Sequence, residues 1–89
     1  MDFDKIKPPV FVRNWIRNSG EKFYPLGFDG SKKLHDFFID NKVPFDKRTG
    51  IPVFADAEKV IWVGKMRLDE RVKIDKNTRR ILHIKIIYN

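Results

Sequence analysis

Only one stretch of this 89-residue chain repeats its apolar side chains at helical spacing, which points to a fold of strands gathered around a single main helix. Leu34, Phe37 and Phe38 fall at i, i+3 and i+4, the stripe of a helix with one buried face. Ser31 offers a side-chain oxygen of N-cap type just before the stripe, and Pro44 stops it just after. The spacing therefore predicts a helix over about residues 32–42. Lys32, Lys33, Asp36 and Asp40 would share its solvent face and pair there as surface ions. Phe45 to Arg48 would add one more helical turn before Gly50.

The remaining pattern is that of strands. Lys7-Pro8-Pro9 leads in as extended chain, because a residue before proline is biased away from the helical region. Val10 to Ile16 is rich in β-branched and aromatic residues and reads as a strand, with Val10, Val12 and Asn14 on one face and Phe11, Arg13 and Trp15 on the other. Asn18-Ser19-Gly20 is a turn signal, and Pro25 to Gly30 a loop. Ile51–Asp56 and Val60–Gly64 form a strand pair about the turn Ala57-Glu58-Lys59, with Pro52 suited to an edge or a strand start. Arg80 to Tyr88 alternates, with Leu82, Ile84, Ile86 and Tyr88 facing one way and His83 and Lys85 the other, and is expected as a last strand. The fold class expected is α+β, a compact single domain over residues 1–89, mostly antiparallel strands with one main helix.

Composition narrows the function. Without cysteine the chain holds neither a disulfide nor a thiolate-bound zinc. The N-terminus has no apolar signal region and no apolar run is long enough to span a bilayer, so a soluble, cytoplasmic chain without a membrane partner is expected. The net charge of +7 is spread along the chain: five basic against four acidic residues in 1–30, five against three in 31–50, and nine against five in 51–89. Such a distribution describes a folded basic surface rather than a polybasic tail, and suits a polyanionic partner.

No catalytic constellation emerges. The five glycines build neither a phosphate loop nor a dinucleotide fingerprint. His35 and His83 lie far apart without ligand spacing, so no metal site is expected. Asp69 and Glu70 are adjacent, which usually points their side chains apart, and Arg67 and Arg71 flank them. A structural ion network explains them at least as well as acid–base work.

Basic groups are what the chain does carry. In Gly27-Phe28-Asp29-Gly30-Ser31-Lys32-Lys33 two glycines lead into the expected helix start. Lysines there oppose the helix dipole unless an anion binds between them; the plain alternative is that exposed lysines tolerate a weak penalty. Lys42, Lys47 and Arg48 follow the helix, Arg13 and Arg17 belong to the first strand and its end, and Arg67, Arg71 and Lys73 form a fourth group. Trp15, Trp62, Phe11 and the other phenylalanines could stack on bases, although a chain this short needs most of them as core.

Three segments taken together resemble the C-terminal domain of bacterial tRNA(Ile)-lysidine synthetases: VRNWIRNSGEKFYPLGFDGSKKLHDFFIDNKVP, RTGIPVFAD and VIWVGKMRLDERVK, strongest over residues 13–73. The resemblance implies a compact α+β unit related to a domain of phenylalanyl-tRNA synthetase β chains. It implies a part that grips the acceptor stem of tRNA(Ile) bearing a CAU anticodon. The chemistry, conversion of the wobble cytidine to lysidine and of AUG to AUA reading, would belong to a separate N-terminal ligase domain using ATP and Mg. That domain's SGGxDS phosphate loop has no counterpart here, so no cofactor and no catalysis are expected of this chain itself. The other domains of the same synthetase would be partners, with a homodimer formed, if at all, through them. The family's basic positions fall on Arg13, Arg17, Lys32, Lys33, Arg48 and Arg67. Two departures stand out: Lys22 replaces an arginine of the family's RPGDRF pattern, which keeps charge but loses the bidentate fork. After the helix the chain reads Asp46-Lys47-Arg48-Thr49 in place of the usual acidic or arginine-rich stretch. Lys32, Lys33 and Arg48 lead the expected RNA contacts, followed by Arg13, Arg17, Lys42, Lys47 and Arg67. The competing expectation is a protein-interaction module docking within or between synthetase subunits, marked by exposed Phe28, Ile39 and Phe45.

Overall fold

A computed structural model describes residues 1–16 and 19–87. Four strands, β1 (Phe11–Asn14), β4 (Pro52–Ala55), β5 (Val60–Val63) and β6 (Arg67–Leu68), form an antiparallel sheet in the order β1-β4-β5-β6. Two further short strands, β2 (Lys22–Phe23) and β3 (Lys32–Lys33), pair with each other. Helix α1 (Leu34–Asp40) follows β3 directly. The α+β class and the single main helix expected from the periodicity are present.

The stripe works as its spacing requires: Leu34, Phe37 and Phe38 are buried and join Trp15, Phe23, Val53, Val60 and Val63 in the main core. Phe23 meets Phe37 edge-on at 5.0 Å and Trp15 meets Phe38 at 5.7 Å, separations typical of favourable aromatic pairs. A second cluster of Ile6, Ile61 and Val72, flanked by Phe54, Trp62 and Leu68, forms a smaller core. Pro52 opens β4, a strand with neighbours on both sides, so its missing N–H falls at the strand start as expected.

The helix is shorter at both ends than its expected span. Lys32 and Lys33 lie in β3, paired to β2, and Lys33 rather than Ser31 is the capping residue, with no side-chain bond. The first helical N–H, of Leu34, is already donated to the carbonyl of Glu21 at 2.9 Å. The lysines therefore lie in the strand before the helix and not in its first turn. At the other end Lys42 adopts φ 56°, and the N–H groups of Lys42 and Val43 donate to Ile39 and Phe38 carbonyls. This is a Schellman closure, which ends the helix before Pro44 is reached.

The expected final strand is also corrected. Residues 82–87 form no strand; a single bridge joins Ile81 to Asp2. The N-terminal chain turns into a short 3-10 helix, Phe3–Lys5, and so offers no longer edge for a ladder. The alternation survives in burial: Leu82, Ile84 and Ile86 are half-buried, while Ile81, His83, Lys85 and Ile87 are exposed. Tyr88 lies outside the described residues.

Buried carboxylates organise the turns. Asp56, after β4, accepts N–H bonds from Lys7, Glu58 and Lys59 at 2.8–2.9 Å and an ion pair from the Lys59 ammonium at 2.7 Å. Burial alone would raise its pKa, but Lys59 and the three N–H groups outweigh it and hold the carboxyl at about 2, below its ordinary 3.8. A depressed pKa contributes stability that is present above the ordinary value and lost as pH falls through the depressed one. Stability is thus expected to decline between pH 3.8 and about 2, with Asp56→Asn costing about 2 kcal/mol at neutral pH and flattening that decline. Urea midpoints of both proteins measured against pH test this; parallel profiles would rule the role out.

Candidate nucleic-acid interface

Most cations of the expected site groups are engaged inside the fold. Arg13 leaves β1 opposite Val53 and forms a two-pronged ion pair with Glu21, with the Nη1 contact at 3.0 Å. Lys32 pairs with Asp40 and lies 4.8 Å from the centroid of the Phe28 ring. This is the helix-face ion pairing expected, made from a strand rather than from within the helix. Arg67 donates to the Leu26 carbonyl at 3.1 Å and covers the Phe37 ring.

Arg48 is placed least like a phosphate contact. It is 7% exposed, its Nε donates to the Val43 carbonyl at 3.2 Å, and its guanidinium sits 5.3–6.0 Å from the rings of Phe45, Trp15 and Phe38. Nη1 reaches His35 Nδ1 at 3.4 Å. Since arginine has no acceptor, Nδ1 is the accepting atom of that contact. His35 stacks on Trp15 at the rim of a cleft of about 250 Å³ that Ser19, Gly20, Glu21 and Lys33 complete.

Asp69 and Glu70 form the structural network that the sequence left open. Asp69 is fully buried and binds Arg71, and Glu70 pairs with Lys73 at 2.5 Å and accepts from the Gly27 N–H at 3.3 Å.

Lys33, Lys42 and Lys47 are exposed and have no ion pair among the described residues. Arg17 lies outside the described residues. The residue that the motifs passed over is Lys22. In the β2–β3 ladder it stands directly opposite Lys33, and both are exposed. Directly opposed residues have Cβ atoms about 4.5–5.5 Å apart, and like charges so placed repel. Glu21, the adjacent acid, is committed to Arg13. Two lysines thus stand opposite each other across the ladder, neither in an ion pair among the described residues, an arrangement suited to gripping one phosphate. Only the replacement of the usual arginine at position 22 pointed to it; the pairing of two-residue strands has no periodic signal.

The comparisons with known proteins agree with this architecture. A family model described as TilS substrate C-terminal domain matches residues 10–86. The tRNA(Ile)-lysidine synthase of Caldanaerobacter subterraneus subsp. tengcongensis is 45% identical over 83 residues, covering 93% of this chain and 17% of that protein. That of Clostridium tetani is 41% identical over 85 residues, covering 96% and 18%. The chain therefore spans under a fifth of the length of these curated relatives. Among solved structures, a crystal structure of a TilS C-terminal domain superposes with TM-score 0.69 at 27% identity, covering 85% of this chain and 55% of that one. An N-terminal fragment of the phenylalanyl-tRNA synthetase β subunit from Pyrococcus horikoshii gives TM-score 0.71 at 26% identity, covering 88% and 24%. Sequence and fold together place the chain in the TilS substrate C-terminal domain family.

Proposed function

We propose that this chain is the tRNA-holding C-terminal domain of a tRNA(Ile)-lysidine synthase, and that it grips a tRNA stem through phosphates. The observation that carries the reading is the opposed pair Lys22 and Lys33, whose repulsion a bound phosphate turns into attraction. Lys42 and Lys47, exposed and without an ion pair among the described residues, add to the available positive charge; Arg13, Lys32 and Arg67 are held by fold contacts and act at second rank. Arg17 joins them on charge alone. An A-form helix hides its base edges in a deep major groove, so contacts go to phosphates and 2′-hydroxyls, with modest sequence discrimination. Conversion of the wobble cytidine to lysidine, with its ATP and Mg, is the work of other domains of the same protein.

The test is a titration with tRNA(Ile) bearing a CAU anticodon at several salt concentrations. Affinity is expected to fall log-linearly with salt. Lys22→Glu is expected to weaken binding about tenfold while raising stability by some tenths of a kcal/mol, because it replaces a like-charge pair by an ion pair. Unchanged affinity would remove the opposed lysines from the site.

A second reading is supported by β1. It is the edge strand of its sheet, with no strand on its other side among the described residues, and Phe11, Val12 and the following Ile16 are exposed, as are Phe28, Ile39 and Phe45. An unprotected apolar edge suits docking against another protein part. This reading predicts salt-insensitive, concentration-dependent association in sedimentation, with no measurable RNA binding.

A further inference from the structure

Next to the opposed lysines lies an open depression lined by Tyr24, Gly27, Phe28, Asp29, Gly30 and Glu70. Its two aromatics are exposed, Tyr24 to 39% and Phe28 to 43%, and neither belongs to a core cluster. Each has a cation over its ring: Arg71 at 4.4 Å from Tyr24, and Lys32 at 4.8 Å from Phe28. The loop that carries Phe28 is tightly held. Phe28 N–H closes a turn onto the Pro25 carbonyl at 2.9 Å, Leu26 N–H binds the Leu68 carbonyl at 2.8 Å, and Arg67 holds the Leu26 carbonyl. Gly27, at φ 84°, supplies the backbone angle that such a turn needs. An aromatic ring kept rigid, exposed and outside the core is prepared for a flat partner at little entropic cost.

The surrounding charges say where that partner's own charge must lie. Glu70 is taken up by Lys73 and Gly27, and Asp29, exposed at the rim, has no ion pair among the described residues. With Glu70 so engaged, Asp29 is the acid left at the mouth; it repels phosphate and accepts N–H groups, so the occupant of the depression is neutral, flat and carries donors. Lys22 and Tyr24 are i and i+2 on one extended stretch, with Phe23 buried between them. They therefore face the same way, roughly 6–7 Å apart. That is close to the spacing between a phosphate and a base of the same strand.

We infer that this depression takes an unpaired nucleobase of RNA, stacked against Phe28 beside Tyr24, while the adjoining phosphate sits between Lys22 and Lys33. The inference rests on the RNA-holding reading and adds a single-stranded subsite to it. The test uses the 89-residue chain with two probes: a short single-stranded oligoribonucleotide carrying one 2-aminopurine, and a blunt duplex of the same length. Base–aromatic stacking is sequence-tolerant and large enough for Phe28→Ala to weaken the single strand about tenfold. Phe28→Tyr should restore binding, and the single strand's 2-aminopurine fluorescence should be quenched on wild type and less so on Phe28→Ala. Duplex affinity should stay unchanged, as should the melting temperature, because Phe28 supports no core contact. Equal single-strand affinity of Phe28→Ala and wild type overturns the subsite, and so does an equal loss on the duplex. Duplex binding that persists in either case leaves the phosphate grip standing, whereas a wild-type chain that binds neither probe overturns both.

Discussion

Asp69→Ala is expected to lower the stability of this chain by about 3 kcal/mol, which is on the order of 15 °C in Tm for a domain of this size. Asp69 is fully buried and accepts four bonds: from Tyr24 N–H at 2.9 Å, Arg71 N–H at 2.8 Å, and Arg71 Nε and Nη2 at 2.9 Å each. Its backbone N–H binds the Ile61 carbonyl at 2.9 Å, and it bridges to Pro25. The residue therefore ties three parts together: the stretch after β2, the inner strand β5 and the short 3-10 turn Glu70–Val72. Alanine leaves two backbone donors without their acceptor, each costing about 1–3 kcal/mol in a buried setting. Arg71 loses its partner too, but its side chain is 41% exposed and re-solvates at small cost. Asp69→Asn keeps the shape and one acceptor oxygen, so it should lose roughly half as much. Urea denaturation of both variants decides the matter; a loss under about 1 kcal/mol for alanine would mean that water replaces the carboxylate.

How far the sequence announces these features depends on whether the cause is local. The helix stripe is local, since Leu34, Phe37 and Phe38 face one way by geometry alone, and all three are buried. The main strands are visible for the same reason: the stretch from Val10 contains β1, and 51–56 and 60–64 contain β4 and β5. The family resemblance reached further than periodicity, giving the fold relation that the superpositions bear out. What periodicity cannot carry is a contact between distant residues. Strands β2 and β3 are two residues each, too short for any alternation, and their pairing removes Lys32 and Lys33 from the helix that the capping pattern extended over them. The tail from Arg80 alternates like a strand, but a strand needs an edge, and the short stretch Met1 to Phe3 reaches only Arg80 to Leu82. Charge is similarly ambiguous. Lys22 and Arg48 are both basic in the sequence; one ends exposed opposite another lysine and the other ends among aromatic rings, and only long-range packing separates them.

That ambiguity gives Arg48 the sharpest remaining test. Arg48→Ala is expected to cost about 3 kcal/mol, from hydrogen bonds of a charged group and from desolvated cation–π contacts. The guanidinium stands within 6.0 Å of three ring centroids, supports His35 through Nδ1, and anchors the Val43 carbonyl just after the helix closes. Truncation would leave a cavity lined by Trp15, Phe38 and Phe45. Arg48→Met fills that space without a charge. Because a buried ion is often replaced by an apolar group of similar volume at little loss, methionine should recover much of the stability. RNA affinity then separates two roles that share one residue. If Arg48 acts as a strut, Arg48→Met binds RNA within about threefold of wild type while Arg48→Ala loses binding only as it unfolds. If Arg48 turns outward to hold phosphate, both variants lose affinity by about tenfold or more at unchanged Tm, because a charge-assisted bond disappears in each. The buried cage and the 7% exposure favour the strut, and melting curves read beside RNA titrations at fixed salt would show which role the residue holds.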